Sequence, residues 1–119
     1  MFGFLRPSPS GRLSLADAIT RAAAGELVLI DVREAGEIRA SGKAKGAVAL
    51  PMATLMMKAD PQSPECVAAL KSGKPIAIYC ASGGRSGMAT QALKKMGHAE
   101  VHNIGGFGDW VKAGGPVDR

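Results

Sequence analysis

The segment with the most chemical potential in this sequence begins at Cys80, where an apolar run, residues 76–79, ends. Gly83 and Gly84 follow in a turn without proline, so every residue of the turn has a backbone N–H group. Because glycine adopts positive φ without steric cost, these N–H groups can point inward and form a cradle for an anion. The predicted cradle consists of Ala81, Ser82, Gly83, Gly84, Arg85 and Ser86.

This arrangement favours the thiolate form of Cys80. A helical pattern begins directly after the turn, and the partial positive charge at a helix N-terminus stabilises an anion. We expect Arg85 to add a fixed cation, and Ser86 to cap the helix and donate its hydroxyl. No His lies close in sequence to act as a base. The sequence therefore predicts a catalytic cysteine whose thiolate is maintained by backbone electrostatics.

The two cysteines of the chain receive different interpretations. A free cysteine is often buried and inert, which is the alternative interpretation of Cys80. A cysteine, two glycines, an arginine and a serine within one turn favour a site over that alternative. Cys66 is predicted to lie in a helix that begins at Ser63, on a face shared with Val67 and Leu70. We interpret it as a core thiol without a catalytic role.

Charge is unevenly distributed along this chain, whose net charge is +5. From Cys66 to Ala99 there is no Asp or Glu, and Cys80 lies inside this acid-free stretch. That distribution predicts a small anionic substrate near Cys80. Scattered basic residues and an aromatic content of 4% argue against nucleic acid as a partner. The basic residues of the acid-free stretch are Lys71, Lys74, Arg85, Lys94 and Lys95.

Length and composition exclude several other classes of protein. The 119 residues suit one domain. No apolar run is long enough to span a bilayer, and the apolar start, residues 1–5, is too short for a secretory signal. We therefore expect a cytoplasmic protein with no membrane partner. Two cysteines without neighbouring ligands at metal spacing predict neither a disulfide framework nor a metal site.

The elements that must position the turn alternate between strands and helices. Continuous apolar runs predict buried parallel strands, and the alternation predicts an α/β fold with a mainly parallel central sheet flanked by helices. Residues 1–13 are expected to form an N-terminal arm and residues 14–119 a single domain. Strands are predicted at 27–30, 47–50, 76–79 and, as the last strand, 100–104. Helices are predicted at 14–25, 34–40, from 63 to about 73, 85–96 and 107–113, with a helical turn at 52–58.

Sites in parallel sheets lie beyond the carboxyl ends of the strands. Besides Cys80, two polar signals have this position: Asn103, and the pair Asp31 and Arg33. Arg33 is open to two interpretations, one of which is a helical ion pair with Glu37 contributing roughly a few tenths of a kcal/mol. The interpretation that we favour is that Asp31 and Arg33 reach toward the Cys80 turn and orient it.

Three motifs in this order resemble the rhodanese family and extend over about two-thirds of the chain. The first is Asp31-Val32-Arg33 with Glu37, and the second is the turn of residues 80–86. The third, Asn-Ile-Gly-Gly-Phe-Gly-Asp-Trp at 103–110, is similar to the family's Gly-Gly-x-x-x-Trp ending. One departure occurs where family members often have Gly-His-Ile, because Lys43 stands in place of the His. We expect a local packing change there and no loss of chemistry.

The resemblance implies a single-domain thiosulfate sulfurtransferase with a rhodanese-like fold. Cys80 would attack the outer sulfur of a small anionic donor such as thiosulfate, sulfite would leave, and Cys80 would hold a persulfide. The amides of residues 81–86 would stabilise the persulfide anion. A thiophilic acceptor, which is cyanide, a thiol or a protein, would then take the sulfur. No metal or organic cofactor is implied.

Two other functions use the same thiolate. A non-enzymatic module would carry sulfur, bind a partner or sense redox conditions without turnover. A phosphatase or arsenate reductase would attack phosphate or arsenate through Cys80. Four residues separate Cys80 from Arg85, whereas the related cell-cycle phosphatases have five, which gives a wider turn that fits a phosphoryl group. The shorter turn favours sulfur transfer.

Overall fold

The computed structural model describes residues 13–119. The expected N-terminal arm, residues 1–13, therefore lies outside the described residues except for Leu13. In the described part of the chain, no helix is long and apolar enough to cross a bilayer. The helices are α1 (Leu15–Ala23), α2 (Ala35–Ser41), α3 (Met52–Ala59), α4 (Gly84–Lys95) and α5 (Phe107–Lys112). The strands are β1 (Val28–Asp31), β2 (Lys43–Ala44), β3 (Val48–Ala49), β4 (Ile76–Cys80), β5 (Val101–Gly106) and β6 (Val117–Asp118).

Four strands form a parallel sheet in the order β3–β1–β4–β5. The central strands β1 and β4 are buried along their whole length, which accounts for their continuous apolar sequence. Helices pack on both faces of this sheet. The predicted α/β fold, with a mainly parallel central sheet flanked by helices, is confirmed.

The core lies on the two faces of this sheet. On one face, Ile78 and Cys80 pack among residues of α3 and α4, including Leu93. On the other face, Tyr79 packs with Trp110 of α5 and with α1. Since successive residues of a strand point to opposite faces, Cys80 shares the face of Ile78 and lies beneath α4. The sheet therefore delivers the thiol directly to the beginning of that helix.

A small antiparallel ribbon, absent from the sequence predictions, joins β2 to β6. Its two-residue strands are too short to give a periodic pattern. The strand predicted at 100–104 is present as β5, but β6 follows it, so it is not the last strand. Lys43, at which the sequence departs from the Gly-His-Ile pattern of the resemblance, lies in this ribbon with Nζ 3.6 Å from Asp118. Lys43 thus pairs within the ribbon, and the expectation of a local packing change without loss of chemistry stays a prediction.

The predicted helix beginning at Ser63 does not form. The chain makes turns instead, followed by a single 3₁₀ turn at Ala68–Lys71. The hydroxyl of Ser63 accepts a hydrogen bond from the N–H of Glu65 at 3.1 Å, and the N–H of Cys66 donates to the Ser63 carbonyl. Such local bonds compete with a helix, and here they prevail. Cys66 lies half-buried against the core, in a turn and not on a helix face.

Candidate active site

The thiol of Cys80 lies at the carboxyl edge of the sheet, with three hydrogen-bond donors within reach of its sulfur. Its Sγ accepts from the N–H of Gly83 at 3.0 Å and from the N–H of Ser86 at 3.3 Å. The Ser86 hydroxyl lies 3.4 Å from the same sulfur. The turn thus presents donors to sulfur, an arrangement that stabilises negative charge there.

These contacts alter the acidity of the thiol. Burial raises the pKa of Cys80, because only 1% of the residue is exposed and a charge is costly there. Hydrogen bonds from the Ser86 hydroxyl and from the amides of Ser86, Ser82 and Gly83 outweigh burial and lower the pKa to about 7. A thiol with this pKa is about half ionised at neutral pH, so an attacking thiolate is available.

The turn is shaped by one glycine in the left-handed region. Gly83, with φ 101°, is the N-cap of α4. The expectation that Ser86 caps the helix was therefore wrong, because Ser86 is the third residue of α4 and its hydroxyl faces the sulfur. Ala81, Ser82 and Gly84 are exposed, whereas Ser86 is fully buried. The rim of the turn is open to an incoming molecule while its base is closed to water.

Arg85 does not stand as a free cation beside the turn. Its guanidinium makes a two-point ion pair with Glu37 of α2, at 2.6 and 2.9 Å. Each side chain stabilises the charged form of the other. The hydrogen bond from Arg85 lowers the pKa of Glu37 to about 2, and the hydrogen bond to Glu37 raises the pKa of Arg85. Glu37 is thus the partner of Arg85, and the sequence's alternative of a pair with Arg33 was wrong.

Asp31 and Arg33 form a separate buried ion pair at the end of β1. The Arg33 guanidinium donates to Asp31 at 2.8 Å and to the carbonyl of Gly42 at 2.8 Å, and lies 4.4 Å from the ring centroid of Phe107. Among the described residues, none of the hydrogen bonds of this pair reaches residues 80–86. The pair instead holds the C-terminal end of α2, the helix that carries Glu37 to the turn.

Asn103 connects β5 to the turn, a role that sequence reasoning did not assign. Its Nδ2 donates to the Gly83 carbonyl at 3.1 Å. Its Oδ1 accepts from the Ser86 hydroxyl at 2.7 Å and from the N–H of Gly105 at 3.0 Å. The sequence showed only that Asn103 is a polar residue near the carboxyl end of a strand, which indicated its position in the fold but not its hydrogen-bond partners.

The fold does not gather the basic residues of the acid-free stretch around Cys80. Lys71 and Lys74 line a cavity of about 500 Å³ near the amino end of β4, the opposite edge of the sheet. Lys94 and Lys95 end α4, roughly 14 Å along the helix from Arg85. Of its five basic residues, the stretch therefore brings only Arg85 to the turn. In residues 13–119, no group of three His, Cys, Asp or Glu side chains has the spacing of a metal site.

Comparison with known proteins places this site in a family. The model of the rhodanese-like domain matches residues 14–113. An uncharacterized Bacillus subtilis protein, YqhL, is 34% identical over 98 residues, which are 82% of this chain and 71% of that protein. A protein of Allochromatium vinosum described as a sulfurtransferase is 30% identical over 93 residues, covering 77% of this chain and 78% of that protein.

A solved structure extends the likeness to the whole fold. A Rhodopseudomonas palustris protein of unknown function, described as a possible tyrosine phosphatase, superposes with a TM-score of 0.79. The two sequences are 31% identical, and the match covers 99% of each chain. The family match spans every element from α1 to α5, including the Cys80 turn. The chain belongs to the rhodanese-like domain family.

Proposed function

We propose that this chain is a sulfurtransferase that carries sulfane sulfur on Cys80 as a persulfide. The family match and the relative described as a sulfurtransferase support transfer of sulfur as the general activity. The observation that carries the proposal is the pair of backbone N–H groups, from Gly83 and Ser86, directed at the Cys80 sulfur. They favour a thiolate that needs no partner base.

The first half-reaction loads the cysteine. The Cys80 thiolate attacks the outer sulfur of thiosulfate, and a new S–S bond forms. The S–S bond of the donor breaks, and its electron pair leaves on sulfite. The negative charge then lies on the outer sulfur of the persulfide, where the amides of the turn, residues 81–86, stabilise it. No metal or organic cofactor takes part.

The second half-reaction transfers the outer sulfur from Cys80 to the acceptor. Cyanide or a thiolate attacks the outer sulfur, the Cys80 S–S bond breaks, and the electron pair returns to Sγ as a thiolate. The same hydrogen bonds that lower the pKa of Cys80 make this sulfur a better leaving group. One set of donors therefore assists both halves of the exchange.

The surroundings of the turn bear on the acceptor. Ala81, Ser82 and Gly84 are exposed at the rim, which leaves the turn open to an incoming thiol. Both cysteines of the described residues are free thiols, and we place the activity in the reducing cytoplasm. The acceptor in this proposal is a thiol or a protein.

Intact mass after incubation with thiosulfate tests the proposal. The native protein and the matched control Cys66→Ser should each gain the mass of one sulfur atom, and a reductant should remove it. Cys80→Ser should gain none and should not release thiocyanate from thiosulfate and cyanide. A stable persulfide without thiocyanate release would indicate a non-enzymatic carrier. An equal gain by Cys80→Ser would refute the assignment of Cys80.

A phosphatase is the second candidate, because a similar solved structure is described as a possible tyrosine phosphatase. Four residues between Cys80 and Arg85 give a turn narrower than a phosphoryl group requires, which disfavours it. We expect no hydrolysis of p-nitrophenyl phosphate by the protein. Hydrolysis that is lost in Cys80→Ser would reverse the order of the two candidates.

A further inference from the structure

The hydroxyl of Ser86 has one proton and three acceptors within reach. One of them is the carbonyl of Gly105, at 3.4 Å. The hydroxyl oxygen lies 2.7 Å from Oδ1 of Asn103 and 3.4 Å from Sγ of Cys80. A hydroxyl donates one hydrogen bond at a time, so a proton directed at Asn103 is not directed at the sulfur. Ser86 is fully buried, so water does not replace either partner freely.

The orientation of the Asn103 amide is fixed by the backbone on both sides. The N–H of Gly105 lies 3.0 Å from Oδ1 and can only donate, while the carbonyl of Gly83 lies 3.1 Å from Nδ2 and can only accept. Oδ1 is therefore an acceptor toward Ser86 as well, and Ser86 must be the donor in that contact. Its short distance makes Asn103 the closer partner of the hydroxyl proton.

We propose that Asn103 is a positioning residue that competes with Cys80 for the hydroxyl proton of Ser86, and so makes the hydroxyl a switch between two hydrogen-bonded states. When the sulfur is neutral, Ser86 donates to Asn103. When the sulfur is a thiolate, the hydroxyl turns and donates to it, because hydrogen bonds to charged acceptors are stronger than those to neutral ones.

The consequence for turnover rests on the proposed function. In the persulfide, the charge lies on the outer sulfur and the inner Sγ is neutral, so Ser86 remains with Asn103. As an acceptor attacks the outer sulfur, the S–S electron pair moves to Sγ and the hydroxyl turns toward it. The switch moves no atom between residues, since the proton stays on Ser86 throughout. It supplies one more donor at the moment when charge appears on Sγ.

The charged groups around the turn come from four elements and remain unchanged in the variants below. Arg85 lies on α4, and Asp109 of α5 accepts from the N–H of Gly106. The pairing of Arg85 with α2 balances its charge. Glu37 and Glu34 act on the Arg85 charge from α2 and its N-cap, and Asp31 and Arg33 pair with each other at the end of β1 without a side-chain hydrogen bond to the turn.

Titration of the Cys80 thiolate by ultraviolet absorbance tests the proposal without any sulfur donor, so its failure is distinct from failure of the proposed function. In a Cys66→Ser background, Asn103→Ala should lower the pKa of Cys80 by about one unit, a tenfold shift toward thiolate. In a Ser86→Ala background the same substitution should leave the pKa unchanged, because the switch is already absent.

A purely structural role for Asn103 gives the opposite sign. Losing its bond to the Gly83 carbonyl would loosen the turn, remove donors from the sulfur and raise the pKa. A raised pKa in Asn103→Ala, or an equal change in both backgrounds, would overturn the proposal. Thermal unfolding checks that each variant is folded, and Asn103→Leu, which keeps the volume of the side chain, repeats the measurement if the alanine variant is not.

Discussion

The cation nearest to Cys80 is already paired, and this limits what Arg85 does for an anionic donor. Arg85 and Glu37 form two hydrogen bonds and are each about one-third exposed. A partly exposed pair contributes little to folding stability. It nevertheless removes most of the attraction that a free arginine would offer, since the two charges nearly cancel at the distance of an incoming anion. Attraction of the donor then depends mainly on the backbone amides of the turn.

Substituting Glu37→Gln should make Arg85 available to the donor. We expect the KM for thiosulfate to fall about fivefold, since one added charge near an anion at a protein surface contributes about 1 kcal/mol. Steady-state kinetics of thiocyanate formation at low salt measures it, and higher salt should shrink the gain. Glu26→Gln changes the net charge equally near the amino end of β1 and should leave KM unchanged. A lower kcat at unchanged KM would mean that Glu37 serves only to hold Arg85 in place.

Single residues of the site differ in how far the sequence predicted them. Cys80 and its glycine turn were visible because their chemistry is contained in seven consecutive residues. The partner of Arg85 was not visible, because Glu37 lies 48 positions away and only helical neighbours can be paired by counting. Asn103 was noticed as a polar strand end, but its contacts to Ser86 and Gly83 exist only once β5 lies beside the turn.

At the scale of elements, β5 lies directly against the Cys80 turn because its last residue, Gly106, has no side chain. Gly106, the last residue of β5, pairs with Cys80 in the sheet. A Cβ atom at Gly106 would collide with the backbone carbonyl of Ala81, which has no flexible end to move aside. The strand and the turn thus approach more closely than any other residue would permit.

Gly106→Ala should therefore displace the turn and impair the reaction. We expect the rate of sulfur transfer to fall on the order of tenfold to hundredfold, since small displacements of reacting groups have large effects. The free energy of unfolding should fall by about 1–3 kcal/mol, as in other overpacked interiors. Gly108→Ala is the matched control, because a Cβ there meets no atom within 4 Å. Equal activity of the two variants would show that the turn tolerates movement.

Elements were predictable where the local pattern and the tertiary structure agree. The apolar runs of β1 and β4 and the glycine that follows α4 mark their elements within about two residues, the usual uncertainty of such boundaries. The helix predicted to begin at Ser63 was wrong because the Ser63 hydroxyl can accept a backbone hydrogen bond in a turn as well as at a helix N-terminus. The ribbon of β2 and β6 was missed because its pairing joins segments more than 70 residues apart.

At the scale of the whole molecule, charge counted along the chain gave a wrong picture. A parallel strand and its following helix place residues close in sequence at opposite edges of the sheet. Lys74 precedes β4 and Lys94 ends α4, so both lie far from the turn between those elements. Although the stretch contains no acid, Arg85, the one basic residue within the turn, is already paired with Glu37. Sequence charge predicts surface potential only after the fold has distributed it.

The acidity of Cys80 also affects the stability of the whole protein. The pKa of Cys80 is about 7 in the folded chain, below the value near 8.5 of an exposed thiol. Between these two values the unfolded chain binds more protons, so the free energy of unfolding rises with pH. Relative to Cys80→Ser, the native protein should gain roughly 2 kcal/mol from about pH 6 to about pH 9, and lose it again as the pH falls through 7.

Urea unfolding of both proteins in reductant across this range measures that difference. Subtracting the Cys80→Ser curve removes the titration of all other groups and any constant packing cost of the substitution. Both proteins carry Cys66→Ser, so that Cys80 is the thiol in which they differ. A difference that stays flat with pH would mean that the folded chain does not prefer the thiolate. The hydrogen bonds of the turn would then orient a neutral thiol, and the attacking thiolate would have to form by loss of its proton to the donor or to solvent.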